Sequence, residues 1–393
     1  MVSASASVSA AAPIRLGMVG GGQGAFIGAV HRMAARLDGH YALVAGALSS
    51  DSERAKVSAA ELGLDPERSY RDFEEMARQE AAREDGIEAV SIVTPNHMHY
   101  PAAKAFLEAG IHVICDKPLT SSLEDAKALV QVAKKSGRLF VLTHNYSGYP
   151  MIRQARRMVG ERDIILAQAE YPQDWLDEPV EETGNKQASW RTDPQRSGVG
   201  GAIGDIGTHA FQLATFVTGL KTESVAADLD SFVPGRRLDD NAHIMLRFGA
   251  SPNGRRAKGT IWVSQVAPGN ENGLKLRVYG TKGGLEWKQE DPNYLWYTPL
   301  GEAKRLLTRA GVGANEAAAA VSRIPSGHPE GYLEAFATLY TEAAGAIRAM
   351  REGALPADLL LPTVEDGVEG MRFIQACVNS SRDDAAWTRL DSV

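Results

Sequence analysis

Through residue 148 short apolar runs alternate with stretches whose apolar residues recur every three or four positions. Runs at 14–20, 41–48, 89–94, 111–115 and 139–143 read as strands. Helices are expected from the glycine-rich turn to about Leu37, and over 52–62, 73–83 and 101–109. A last one runs from a Ser121/Glu124 capping box to Lys135. Asp51 and Asp72 stand where N-caps belong. Strands alternating with helices predict a parallel sheet covered on both faces.

After about Tyr149 the pattern changes. A helix at 151–159 and a strand at 164–170 precede a glycine-rich segment and a helix at 208–217. Strands then follow one another at 241–248, 259–266, 274–279 and 285–288, before helices at 329–351 and 364–379. Leu274, Leu276 and Val278 alternate with Lys275, Arg277 and Tyr279, so one face is buried and the other mixed. This half reads as a large, open, mostly antiparallel sheet with helices on one side. Trp262, Trp287 and Trp296 add apolar area to neighbouring strands, and a second copy is the simplest cover for such a face. A dimer, paired again into a tetramer, is expected.

Composition narrows the partners. A formal charge of -7 over 393 residues argues against nucleic acid. No apolar run reaches membrane-spanning length. Two cysteines, Cys115 and Cys377, build no disulfide framework and suit a reducing, cytoplasmic setting. Residues 1–13, rich in Ser and Ala without a basic start, read as a disordered leader rather than a signal peptide.

The chemistry sits in five places. Gly20, Gly22, Gln23, Gly24, Ala25, Phe26 and Ile27 belong to a glycine-rich turn between the first strand and first helix, where bare backbone and a helix N-terminus can seat a pyrophosphate. Two registers fit: Gly20-x-Gly22-x-x-Ala25, and a longer loop ending at Gly28. At the second strand's end, Ser49 and Asp51 are placed to meet a ribose, favouring NAD over NADP, although Arg54 is near. Thr94, Pro95, Asn96 and His99 border the ligand crevice at a third strand's end. His97 and His99 without a carboxylate make a poor metal site, and no metal is expected. Lys117, in Cys115-Asp116-Lys117-Pro118, ends an apolar strand and points into the crevice, with Lys117–Pro118 a candidate cis bond. Asp205 and His209 close the run 198–209. They share a face if helical, and the glycines between let other backbone, or a nicotinamide, approach.

These motifs resemble the glucose–fructose oxidoreductase/inositol dehydrogenase/rhizopine-catabolism (Gfo/Idh/MocA) family over nearly all of the chain after the leader. The resemblance rests on Ile27-Gly28-Ala29-Val30-His31, Thr94-Pro95-Asn96-x-x-His99, Asp116-Lys117-Pro118 and Gly200-Gly201-x-x-x-Asp205-Ile206-Gly207-x-His209. The glycine loop is longer than usual, and Asp116 replaces the usual Glu. The resemblance implies an α/β Rossmann domain binding NAD(P) at 14–148, followed at 149–393 by an α+β domain for substrate binding and oligomerisation.

It further implies NAD-dependent oxidation of a sugar or cyclitol hydroxyl, with NADP an alternative cofactor. Lys117, Asp205 and His209 take the catalytic places: His209 the base, its pKa near the ordinary histidine range, Lys117 the alkoxide stabiliser, Asp205 orienting the hydroxyl or the His. Asp116, Lys117, Asn145, Trp190 and Arg191 join the cofactor contacts. Lys117, Tyr146, Arg153, Asp174, Asp205, His209 and His328 are the polar groups offered to a polyol, an inositol such as scyllo- or myo-inositol or a glucose-like pyranose. Two other readings stand beside this: an NADPH-dependent keto-sugar reductase, and a cofactor-binding sensor without turnover.

Overall fold

The computed structural model describes residues 12–160, 163–250, 254–354 and 359–393. Residues 1–11, most of the expected leader, lie outside the described residues. Five strands, β1 (Ile14–Gly20), β2 (Tyr41–Ala47), β3 (Ala89–Val93), β4 (His112–Cys115) and β5 (Phe140–Leu142), form one parallel sheet in the order β2-β1-β3-β4-β5. β3 is buried at every residue, as a strand covered on both faces requires. Asp51 and Asp72 cap the helices that follow them, each accepting a backbone N–H three residues on. The helix cap expected at Ser121 sits one residue later, as a single N-cap bond rather than a box: Ser122 accepts from Asp125 N, and the helix is Leu123–Ser136.

Nine strands form the second sheet: β6 (Ile164–Pro172), β7 (Thr222–Asp230), β8 (Asn241–Ala250), β9 (Arg256–Ser264), β10 (Lys275–Gly280), β11 (Gly283–Lys288), β12 (Tyr294–Pro299), β13 (Arg305–Thr308) and β14 (Thr388–Arg389). Their order is β13-β12-β11-β10-β6-β9-β8-β7-β14, antiparallel throughout except for β6 beside β9. Leu274, Leu276 and Val278 face the core. Trp287 departs from the expectation: it pairs with Leu276, so register places it on the core face, 1% exposed and packed on Tyr149. Trp262 and Trp296 lie on the other face, with Met245 and Tyr279.

A boundary at 148/149 does not divide the packing. The helix Tyr332–Arg351 returns to the first sheet, where Phe336, Leu339, Tyr340 and Ile347 share a core with Ile14, Leu16, Val30 and Ile114. The Tyr340 hydroxyl meets His31 Nδ1 and Ser91 Oγ, at 2.9 and 2.7 Å. Among the described residues no helix is long and apolar enough to cross a membrane.

Candidate active site

The cleft begins where β4 stops. Asp116 accepts from Lys117 N (2.9 Å) and Thr143 Oγ1 (3.0 Å), fixing the turn, and the Lys117–Pro118 bond is cis. Lys117 Nζ donates to the Asp205 carbonyl at 2.6 Å and to its Oδ1 at 2.8 Å. Oδ2 of Asp205 accepts from Arg191 Nε (3.1 Å) and Gln265 Nε2 (2.9 Å). Burial alone would raise the Asp205 carboxyl, but Lys117 and Arg191 outweigh it and hold the group well below the usual carboxylate range.

Asp205 lies in a π-helical turn, Ile203–Gly207, that runs into the helix Thr208–Thr218 carrying His209. Both side chains line one cleft of about 590 Å³, but Asp205 does not orient the imidazole. Its oxygens bond to Lys117, Arg191 and Gln265, while His209 Nδ1 is buried without a partner. The His209 ring stands edge-on to Tyr146, with centroids 4.8 Å apart. Burial first, then the charge of Lys117, pushes His209 well below the ordinary histidine range. The expected titration near neutrality is thereby corrected: His209 is a neutral imidazole at physiological pH.

Three residues expected at the substrate are elsewhere. Arg153 forms a two-pronged ion pair with Glu342, at 2.8 and 2.9 Å, and donates to Ser147 O. It ties two helices together. Asp174 accepts from Gly269 N, outside the cleft lining. Its neighbours Gln173 and Trp175 line the cleft instead, because alternation from Tyr171 at the end of β6 sends odd-numbered residues inward. His328 is exposed. Tyr171, Gln173 and Asn272 are among the cleft residues the sequence reading missed, with Trp175, Asn185, Gln187 and Gln289. Tyr171 donates to Asn272 Oδ1 at 2.6 Å and meets the Tyr146 hydroxyl at 2.5 Å. The inward parity of Ala167, Ala169 and Tyr171 is the signal that could have found the first two.

The residues for a dinucleotide fit one. The helix Phe26–Leu37 starts at Ala25, which supplies no side-chain cap, so its first N–H groups are open to an anion. A Cβ on Gly28 would stand 2.3 Å from Gly21 Cα, which settles the register: Gly28, not Ala25, is the close-packing position between helix and turn. Gly22, Gln23, Gly24, Ala25 and Phe26 line a pocket of about 420 Å³ beside the turn. Gln23 is anchored through Ser58 Oγ and Glu61. Phe26 and Ile27 reach from the turn to the cleft lining. Thr94 Oγ1 and Asn145 Nδ2 are buried without partners, as groups awaiting a ligand would be. Ser49 accepts from Asp51 N, while Asp51, exposed, accepts from Arg54 N as a cap.

Two expected cofactor contacts are engaged within the protein. Asn96 Nδ2 donates to Ser197 O at 3.0 Å. The His99 ring lies between Pro118 O and Thr94 O, at 2.7 and 2.9 Å, fastening the two loops beneath the cleft. Pro95 leads the loop to Asn96, and Trp190 stacks under Arg191, 4.2 Å from guanidinium carbon to ring centre.

Comparison with known proteins agrees with this geometry. Residues 14–146 match the oxidoreductase family with NAD-binding Rossmann fold, and residues 152–286 match the GFO/IDH/MocA C-terminal domain. The crystal structure of an oxidoreductase from Sinorhizobium meliloti is 62% identical, covering 95% of this chain and 99% of that one, with a TM-score of 0.86. An inositol dehydrogenase homologue from Azotobacter vinelandii, complexed with NADH and myo-inositol, is 37% identical over 96% and 98% of the two chains, TM-score 0.89. Levoglucosan dehydrogenase, complexed with NADH and levoglucosan, is 26% identical over 96% and 99%, TM-score 0.81.

Proposed function

Because the chain belongs to the GFO/IDH/MocA family and is an NAD(P)-binding oxidoreductase, we propose that it oxidises a secondary hydroxyl of a cyclitol or pyranose to the ketone or lactone. The carrying observation is the meeting of Lys117, Asp205 and His209 in one polar cleft beside the glycine turn. Tyr146, Tyr171, Gln173, Asn272 and Arg191 surround them with hydroxyl, amide and guanidinium groups suited to a polyol. The myo-inositol and levoglucosan bound by the two relatives belong to that class.

When bound, NAD⁺ supplies the hydride acceptor. The helix N-terminus behind the glycine turn would bind the pyrophosphate, and the unpartnered Thr94 and Asn145 would hold the cofactor in the cleft. Neutral His209 takes the hydroxyl proton as the carbon loses hydride. Lys117, aimed by its two bonds to Asp205, stabilises the developing alkoxide with a charge-assisted hydrogen bond. Asp205 is the positioning residue of the pair, and Arg191 and Gln265 fix it in turn. Asp51 at the ribose end disfavours a 2′-phosphate, so NAD is the preferred cofactor.

Assembly is part of the proposal. The outer face of the second sheet carries Trp262, Trp296, Met245 and Tyr279. A second copy covers it, giving a dimer and, by a further pairing, a tetramer. Light scattering that finds a monomer at micromolar concentration overturns this. Cys115 and Cys377 are buried thiols, which suits cytoplasmic residence.

The test is a screen for NADH formation over inositols, hexoses and anhydro sugars, repeated with NADP. Turnover with a polyol and NAD is expected. No turnover with any of them removes the dehydrogenase reading, and a higher kcat/KM with NADP reverses the cofactor assignment.

A further inference from the structure

A second cavity, of about 310 Å³, shares no lining residue with the cleft. Three residues of its lining, His144, Gln212 and Thr222, each carry a buried polar atom without a hydrogen-bond partner: Nδ1, Oε1 and Oγ1. The three are 2%, 8% and 9% exposed. Unpartnered buried polar groups are uncommon, and several converging on one polar cavity are ordinarily satisfied by ordered water. The lining also includes Lys221, Asp366 and Glu369, all exposed, so the cavity reaches the surface.

Its inner end is His144. That ring stands edge-on to His209, with centroids 5.7 Å apart and planes at 84°. Neither ring's Nδ1 has a partner. The chain therefore runs from cleft to His209, to His144, to a polar cavity, to solvent.

Resting on the dehydrogenase reading, we propose that His144 and this cavity are the exit for the proton that His209 removes from the substrate. Each oxidation breaks one O–H and one C–H bond: the hydride leaves to NAD⁺, the proton goes to His209, and C=O forms. With cofactor and polyol seated, the cleft side of His209 is covered, so the proton needs another way out. His209 gives it up to one nitrogen of His144 while the other His144 nitrogen releases its own proton to cavity water. Both rings return to neutral, and one proton has reached solvent. No hydrogen bond joins the rings, so transfer needs one bridging water or a small ring rotation. The charged and titratable groups around His144 are Lys117 and His209 on the cleft side, Arg156 in the cavity wall, and Lys221, Asp366 and Glu369 at the mouth. Burial, then Lys117, pushes His144 down to about 3, so neither ring retains the proton.

The experiment uses full-length enzyme with myo-inositol and levoglucosan as probes. His144→Phe should lower kcat for oxidation about tenfold or more, less than the full effect of losing a general base because His209 remains, while NAD affinity by fluorescence titration stays unchanged. Added imidazole should restore part of the rate. The effect of D₂O on kcat should rise, and that of deuterium at the oxidised carbon should fall towards one. Gln212→Leu and Thr222→Val, which keep both imidazoles, should move the same isotope effects in the same direction and carry the test if His144→Phe does not fold. Wild-type kcat and isotope effects in all three variants, or a loss without imidazole rescue or isotope change, overturns the exit. A wild-type enzyme that oxidises neither probe nor any other polyol instead overturns the dehydrogenase reading, and the exit with it.

Discussion

Two glycine-rich segments border the same cleft and use glycine in opposite ways. In residues 20–28 the glycines leave backbone open: Gly20 and Gly21 turn at positive φ, and Gly28 lets the first helix approach the turn, so that uncapped N–H groups face a ligand. In residues 198–209 two glycines, Gly198 and Gly201, close onto backbone from distant parts of the chain. A Cβ on Gly201 would lie 2.1 Å from Asp239 O, and Asp239 accepts from Gly201 N and Ile203 N, both at 2.7 Å. Of the two neighbours expected at these glycines, other backbone is the one found at Gly198 and Gly201. One segment leaves an uncapped helix start for a cofactor; in the other, Asp239 pins the turn that carries Asp205 to Lys117. The same residue type thus serves binding in one place and catalytic precision in the other.

The largest expected effect tests the rigid segment. Lys117→Ala should lower turnover roughly 100-fold or more, the scale of losing a transition-state donor. Asp205 keeps Arg191 and Gln265, so fold and NAD affinity should hold. Turnover within a few-fold of wild type would remove Lys117 from the chemistry.

A pair of glycine variants sharpens the contrast. Overpacking costs about 1–3 kcal/mol. In Gly28→Ala that cost should appear as NAD binding weakened about tenfold with kcat nearly kept, because Gly21 is what the new methyl meets. In Gly201→Ala it should appear as a lower melting temperature and a lower kcat, with NAD affinity kept. Titration of NAD against both variants decides it; equal effects on both quantities would erase the distinction.

Asp51→Ala should be milder. Losing the helix cap costs about 1 kcal/mol of stability, and the preference for NAD over NADP should narrow by a few-fold. An unchanged kcat/KM ratio for the two cofactors would confine Asp51 to capping.

The smallest expected effect is a flat line. Since burial and Lys117 depress His209, its protonation lies on the acid side of the ordinary histidine range. Oxidation should then show no acid limb from His209 between about pH 6 and 8, while His209→Asn should lose activity. A limb in that window that disappears in His209→Asn would mean the imidazole is far less depressed than its surroundings dictate.

The parts legible in the sequence were those set by local rules. Period-two and helical alternation placed the first-sheet strands to within a residue or two, and Lys117 announced itself as a charge at the end of a buried strand. β7, β12, β13 and β14 went unread: β7 mixes Glu223 and Asp228 among its apolar residues, β12 carries Tyr294, Trp296 and Thr298 on its wetter face, and β13 and β14 are the short edge strands. Arg153 looked like a substrate group because a basic residue carries no local sign of its partner. Glu342, 189 positions away, is what neutralises it. Trp287 was misplaced for a similar reason, since its face depends on register against β10.

By itself the sequence determined the order of elements, the glycine turn, and the identities of the Lys, Asp and His brought to the cleft. The first two follow from periodicity, caps and backbone sterics, which act over a few residues; the three side chains followed from the motifs shared with the family. The tertiary structure alone decided that Gln265 and Arg191 fix Asp205, that Tyr171 and Asn272 join the cleft, and that the His209 pKa is pushed below the ordinary histidine range. It also decided that helix Tyr332–Arg351 covers a sheet formed some 300 residues earlier. Burial, charge proximity and strand register are properties of groups distant in the chain, and they exist only once the chain has folded.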